Sequence, residues 1–218
     1  MPDGRTAVQR RGRLARAAVL GAGLLLTGCA TTEKPLGPAT LRPAPQSNLG
    51  TSQIVGDAIV ASLRGVAVTV RWMDGGAVDK YYAGRPGLVS PWPRDVWTES
   101  PPTIFLVRFS NQTHEEAQCD PAMIVLVAQD GNRDRPVPYE EMYMRLAETE
   151  NSGPRLVSLQ ATLLSRFVVI QPGGQREGLL LFPTIKPEAK HLLLELPSFF
   201  VGGRATPGRF EFQVLRQP

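Results

Sequence analysis

The sequence predicts a mainly β domain, a two-sheet β-sandwich with a helical insertion, on three observations. Apolar runs of strand length recur from about residue 57 onward, punctuated by Gly, Pro, Asn and Asp. Several of them alternate with period two, as strands with one buried face do. One stretch, residues 138–165, replaces that rhythm with a helical one.

Taken in order, Val66, Val68, Val70 and Trp72 alternate with Ala67, Thr69 and Arg71, and Phe105, Val107 and Phe109 alternate with Leu106, Arg108 and Ser110. Each run reads as a half-buried strand. Residues 122–128 and 179–182 are continuously apolar, which predicts central strands covered on both faces. The segment Gln171-Pro-Gly-Gly-Gln175 supplies a turn. Leu192, Leu194 and Leu196, then Phe210, Phe212 and Val214, restore the alternation near the end. Between these strands, Tyr139, Met142, Tyr143, Leu146 and Ala147 fall on one face of a helix opened by Pro138. Leu156, Leu159, Leu163 and Leu164 repeat the pattern after the break at Asn151-Ser-Gly-Pro154, as a second helix or an irregular crossover. There is no internal repeat, and a domain spanning 53–218 with seven or so strands suits a single sandwich.

The N-terminus has a different composition. Arg5, Arg10, Arg11, Arg13 and Arg16 precede an apolar run at residues 17–26, the charged and hydrophobic regions of an export signal. The run is too short to span a bilayer. It closes on Leu26-Thr27-Gly28-Cys29, which resembles the bacterial lipobox, where small residues before a cysteine admit a peptidase once the thiol is diacylated. The resemblance implies that residues 1–28 are a lipoprotein signal peptide and that Cys29 carries palmitate-type lipid as the first residue of the mature chain. The protein is then anchored in the lipid bilayer through Cys29 and does not span it. Arg10-Arg11 is followed by Gly12, Arg13 and Leu14, a poor fit to twin-arginine export, so general secretion is expected. Position 30 is Ala and not the Asp of enteric inner-membrane retention, which implies the outer membrane with the domain facing the periplasm.

Residues 29–52 hold the lipidated cysteine and a stretch with Pro35, Pro38, Pro43 and Pro45 but no strand or helix periodicity, and they read as a flexible tether. Extended like polyproline, at about 3.1 Å per residue, such a tether reaches roughly 70 Å. The formal charge of +4 belongs to the signal: removing its five arginines and Asp3 from 24 basic and 20 acidic residues leaves 19 of each. A neutral chain without a basic stripe gives no electrostatic support for nucleic acid as a partner.

Once Cys29 is acylated, Cys119 has no partner for an intrachain disulfide. His114 stands five residues before it, but nucleophilic chemistry needs an accessible, electropositive site, and a small apolar residue at a strand entrance is the simpler expectation. Asp130-Gly-Asn132-Arg-Asp134, with Glu141 in the twelfth place, has the oxygen spacing of a calcium loop. Arg135 stands where that loop needs Gly, and Arg133, Pro136 and Pro138 oppose it, so a solvated turn and no metal are expected. His114-Glu115-Glu116 lacks the second histidine of a zinc-protease helix. The adjacent Glu140-Glu141 diverge by about 100° on a helix, unlike an acid–base pair. No nucleophile elbow or phosphate loop follows Cys29, so the sequence predicts no enzyme and no cofactor beyond the covalent lipid.

Two stretches, Phe105-Leu-Val-Arg-Phe-Ser-Asn-Gln-Thr113 and Cys119-Asp-Pro-Ala-Met-Ile-Val-Leu-Val127, resemble immunoglobulin-like domains of bacterial envelope proteins. Gly178-Leu-Leu-Leu-Phe-Pro183 and Leu192-Leu-Leu-Glu-Leu196 resemble the paired strands that close such sandwiches. The resemblance implies an immunoglobulin-like fold and an interaction module, carries no catalytic residue, and is departed from at the helical insertion.

The candidate binding surface is the segment 72–97, which collects Trp72, Tyr81, Tyr82, Trp92 and Trp97 among Gly and Pro. A long loop of this kind either presents its aromatics, since Trp and Tyr give large contact area at small entropy cost, or folds them over the sandwich. Phe199-Phe200-Val201-Gly-Gly203 admits the same two readings. The expected function is a non-catalytic accessory or assembly subunit that meets an envelope protein. The alternative is a small-ligand or glycan-binding lipoprotein using the aromatic loop.

Overall fold

Over residues 39–47, 52–92 and 101–216 of a computed structural model, the alternating segments form strands. In chain order the elements are β1 (Ala39–Pro43), β2 (Ser52–Val55), β3 (Ala58–Leu63), β4 (Val66–Met73), α1 (Gly75–Ala83), β5 (Thr103–Asn111), β6 (Ala117–Cys119), β7 (Val125–Ala128) and β8 (Arg133–Asp134). There follow α2 (Tyr139–Ala147), α3 (Ser152–Thr162), β9 (Val168–Ile170), β10 (Gln175–Phe182), β11 (His191–Leu196), β12 (Phe199–Val201), β13 (Arg204–Ala205) and β14 (Gly208–Arg216). They assemble into antiparallel sheets ordered β1-β14-β11-β7-β8, β10-β5-β4-β3-β2 and β13-β12-β6-β9.

The first two sheets share a core. Val66, Val68 and Val70 of β4 and Phe105, Val107 and Phe109 of β5 are fully buried there with Leu194 of β11 and Phe210 and Phe212 of β14. The Phe105 and Phe212 rings lie 5.1 Å apart between centroids. Each such side chain contributes about 1.5–3 kcal/mol by leaving water. The small third sheet joins the same core through Phe199, whose ring stacks on Phe109 at 5.7 Å.

A second core lies on the other face of β4, β5 and β10, where Met73, Ile104, Leu179 and Leu181 meet Val78 and Tyr82 of α1, Met142 and Leu146 of α2, and Leu159 of α3. This explains the apolar run at 179–182. Leu180 and Phe182 enter the inter-sheet core, while Leu179 and Leu181 enter the helical one. The run was expected in a central strand, but β10 is a sheet edge. A continuous apolar run reports that both faces are covered, not that both edges are paired. The outer edge of β10 is met by irregular chain, with Leu164 N–H donating to Leu179 O at 2.9 Å and Val137 N–H to Leu181 O at 2.7 Å. Gly178 permits that approach, since a Cβ there would lie 2.8 Å from Thr162 O.

Other expectations need correction. Residues 39–52 were assigned to the tether, yet β1 pairs with β14 over Ala39↔Arg216 to Pro43↔Phe212, and β2 begins at Ser52. A five-residue edge strand with Leu41 alone buried is too short to show its period. Residues 122–128 were expected as one strand, but Pro121–Met123 form a 3-10 turn started by Asp120, and only Val125–Ala128 pair. The segment 72–97, expected as a loop, contains α1. Residues 139–162 do carry helices, and the second is a helix and not an irregular crossover. The signal segment, Cys29 and Trp97 lie outside the described residues. Among the described residues no helix is long and apolar enough to cross a membrane.

Candidate functional site

Helix α1 organises the aromatic segment. Asp74 accepts Ala77 N–H at 2.7 Å as its N-cap, and Gly84 N–H closes it on Lys80 O at 3.1 Å. Val78 and Tyr82, four residues apart, are the face it buries. That spacing and the Asp74 cap were the signals that identify a helix here, hidden by the glycines at 75 and 76.

The helix separates the five aromatics. Trp72 is half-buried against the inter-sheet core, because it shares a strand face with Val66, Val68 and Val70. Tyr82 is 3% exposed in the helical core, and Tyr81 and Trp92 pack against that core half-buried. Strand parity therefore puts Trp72 on the opposite side of the sheet from the tyrosines, and these four residues form no common aromatic platform.

Tyr82 is tied by a polar chain. Its hydroxyl lies 2.7 Å from Thr162 Oγ1, and Thr162 donates its single hydroxyl proton to Ser158 O at 2.7 Å, so Tyr82 is the donor in the first bond. Ser158 Oγ in turn accepts Val89 N–H at 2.9 Å and donates to Pro154 O. Burial pushes the Tyr82 hydroxyl far above the ordinary phenol range, against the opposing influence of Thr162, Trp92 and Arg85. It stays protonated and is a packing group with a satisfied tip.

Three charged residues complete the cluster, and sequence reading missed all three. Arg85 stacks 3.5 Å from the Tyr81 ring centroid, donates to Tyr81 O at 2.8 Å and pairs with Glu177. Arg108 Nε donates to the other oxygen of Glu177 at 2.7 Å, from the residue directly opposite on β5. Glu177 thus joins β5 and β10 to the turn that follows α1. Tyr81 is also raised, first by burial, with Arg85 opposing. The arrangement clamps the helical layer to the sheet.

The other candidates are dispersed. Cys119 is buried on β6, and desolvation, helped by Asp120, pushes its thiol up to about 12, which leaves it protonated and unreactive. His114 is exposed in the bend between β5 and β6. Asp130 Oδ1 accepts Asn132 N–H at 3.0 Å in the turn from β7 to β8, while Asp134 belongs to β8. Glu141 is bound to Arg145 one helical turn on. Among the described residues no group of three or more His, Cys, Asp or Glu is close enough to hold a metal ion. Phe199 and Val201 are core, and Gly202 and Gly203 form the turn to β13 with φ of 57° and 73°. Open clefts of about 530 and 560 Å³ flank the helical layer, one beside Arg166, Phe167 and Arg176 and the other beside Arg135, Val137 and Pro183.

No family model matches the chain, and no curated protein matches it. Among solved structures, it is similar to the yjhA protein from Bacillus subtilis, at 13% identity over 69% of this chain and 79% of that one, with a TM-score of 0.33.

Proposed function

We propose that this chain is a lipid-anchored lipoprotein of the bacterial cell envelope, held at the outer membrane through Cys29. Its periplasmic domain is an immunoglobulin-like sandwich with a helical insertion, and it acts as a non-catalytic accessory or assembly subunit. The observation that carries the anchor is the order of Arg-rich segment, apolar run and Leu26-Thr27-Gly28-Cys29. No acceptor other than Cys29 is needed, and no cofactor enters the reading.

The interaction role is supported by the helical layer, which turns apolar side chains outward as well as inward. Tyr143 and Met144 of α2 and Val157 of α3 are 45%, 64% and 60% exposed, on helices whose other faces already fill a core. The small-ligand or glycan alternative depends on a shared aromatic platform, and Trp72 and Tyr82 pack into separate cores.

The test uses the intact chain in its own envelope, with a photo-crosslinking residue at Met144 and a Cys29→Ser variant alongside. Acylation of the wild type and not of Cys29→Ser, with one discrete protein adduct from position 144, is the expected result. An acylated protein that gives no adduct removes the accessory role and leaves the anchor. Acylation that persists in Cys29→Ser removes the anchor.

A further inference from the structure

Strand β1 begins at Ala39, opposite Arg216 at the C-terminal end of β14. Only residues 30–38 separate it from Cys29. Fully extended, at about 3.3–3.6 Å per residue, that connection reaches roughly 35 Å. Strand β14 runs from Gly208 to Arg216, a span of about 27–30 Å. Were Cys29 lipid-anchored, the contour length of the connection would bound how far the β1 start can stand from the bilayer, and the opposite end of the sheets is a strand's length further from that attachment point.

The near end also carries the connection from β10 to β11, residues 183–190, fixed beside the start of β1. Arg216 Nη2 donates to Lys186 O at 2.8 Å and Ile185 O at 3.3 Å, and Val214 N–H donates to Lys190 O at 2.8 Å. Gln129 Oε1 accepts Lys190 N–H at 3.2 Å and His191 N–H at 3.1 Å. These bonds hold an exposed loop with two lysines, Lys186 and Lys190, and one acid, Glu188. Neither lysine has a carboxylate within ion-pair distance among the described residues, while Asp57 at the β2–β3 turn is neutralised by Arg71.

We infer that this end is the membrane-facing surface of the domain, with Lys186 and Lys190 against anionic phospholipid headgroups. The inference rests on the lipid anchor proposed above and adds an orientation to it. The bend at 112–116 and the β3–β4 turn at Arg64 and Gly65 then point away from the bilayer. Cations at the surface of an anionic leaflet are attracted over about a Debye length, so a rigid basic loop at the tethered end favours this orientation.

The experiment places a fluorophore at Glu188→Cys or at His114→Cys in the mature, acylated chain, reconstituted in nanodiscs that contain anionic phospholipid and nitroxide-labelled headgroups. Cys119 is buried and Cys29 is blocked by lipid, so each variant takes one label. Quenching several-fold stronger at 188 than at 114, and weakened by Lys186→Glu with Lys190→Glu, is expected. Equal or stronger quenching at 114 overturns the orientation, and quenching at 188 that ignores the charge reversals overturns the headgroup contact. Intact mass is read on the same samples: an unacylated chain overturns the anchor and the inference together, whereas an acylated chain with the reversed pattern overturns the inference alone.

Discussion

The carboxamide of Asn111 donates to the main-chain carbonyl of Ile170 at 3.0 Å, joining the end of β5 to β9 in a different sheet. The same nitrogen donates to Glu115 O at 2.8 Å, and Oδ1 accepts Thr113 N–H at 3.0 Å. Asn111 is 1% exposed, so its polar atoms have exchanged water for these partners. Asn111→Ala takes the carboxamide donor from Ile170 O and the acceptor from Thr113 N–H, while Glu115 O keeps the Thr113 hydroxyl at 2.9 Å, and a loss of about 2–4 kcal/mol in urea unfolding is expected, at about 1–3 kcal/mol per unsatisfied group. Asn111→Asp should lose a similar amount near neutral pH, since a carboxylate cannot donate. A cost below about 0.5 kcal/mol for both variants, the size of an ordinary surface change, contradicts this account.

Arg85 and Arg108 share Glu177 but not its surroundings. Arg85 adds the Tyr81 ring and the Tyr81 carbonyl, whereas the Arg108 side chain is 57% exposed and has the ion pair. Solvent screens the second contact more, so Arg108→Ala should cost less than about 1 kcal/mol and lose that cost in high salt. Arg85→Ala should cost about 1–2 kcal/mol and retain most of it in salt, because stacking and carbonyl capping are short-range. Paired denaturation curves at low and high salt read the difference.

How far the site was legible in the sequence follows from Trp72 and Tyr82. Both stand in one aromatic segment, and composition alone groups them. Period two places Trp72 with Val66, Val68 and Val70, and period 3.6 pairs Tyr82 with Val78, so the separation was present in the residues but required the right boundary between strand and helix at Asp74. The strands at 66–72, 105–110, 192–196 and 210–214 were legible because each buries one face over several residues. Strand β1 was not, since its pairing with β14 depends on residues about 170 positions away. The joint of Arg85, Arg108 and Glu177 is of the same kind: three unremarkable charges that become a cluster only through strand register.

Cys119 and Tyr82 set the alkaline limit of the fold. Burial raises both groups, the thiol from 9.0 to about 12, so the native state holds protons that the unfolded chain releases. Stability from this source is fully present below pH 9, and it falls as pH rises through 9 to 12 for the thiol and above 10 for the phenol. Unfolding free energy measured from pH 8 to 11 should decline, and the decline should be shallower in Cys119→Ala with Tyr82→Phe than in wild type. At pH 8 a thiol reagent should modify Cys119 only at the unfolding rate. Rapid modification of the native protein sinks the buried assignment.

Gly178 lies in β10 beneath the segment that leaves α3, and an added Cβ would meet Thr162 O at 2.8 Å and Leu164 Cγ at 2.7 Å. The first neighbour is backbone, so it cannot move aside by a rotamer change. Its backbone φ is not positive, and the obstacle is therefore crowding and not strand geometry. Gly178→Ala should destabilise by about 1–3 kcal/mol, the range for overpacking a filled site. The perturbation should also be local. Leu164 N–H, held on Leu179 O at 2.9 Å, should lose hydrogen-exchange protection, together with Leu163 N–H, held on Leu159 O at 2.9 Å. Leu194 and Phe212 of the opposite sheet, on the far side of the inter-sheet core, should keep theirs relative to the global stability. If protection falls evenly across both sheets, Gly178 acts through the whole fold and not through the edge contact that it admits.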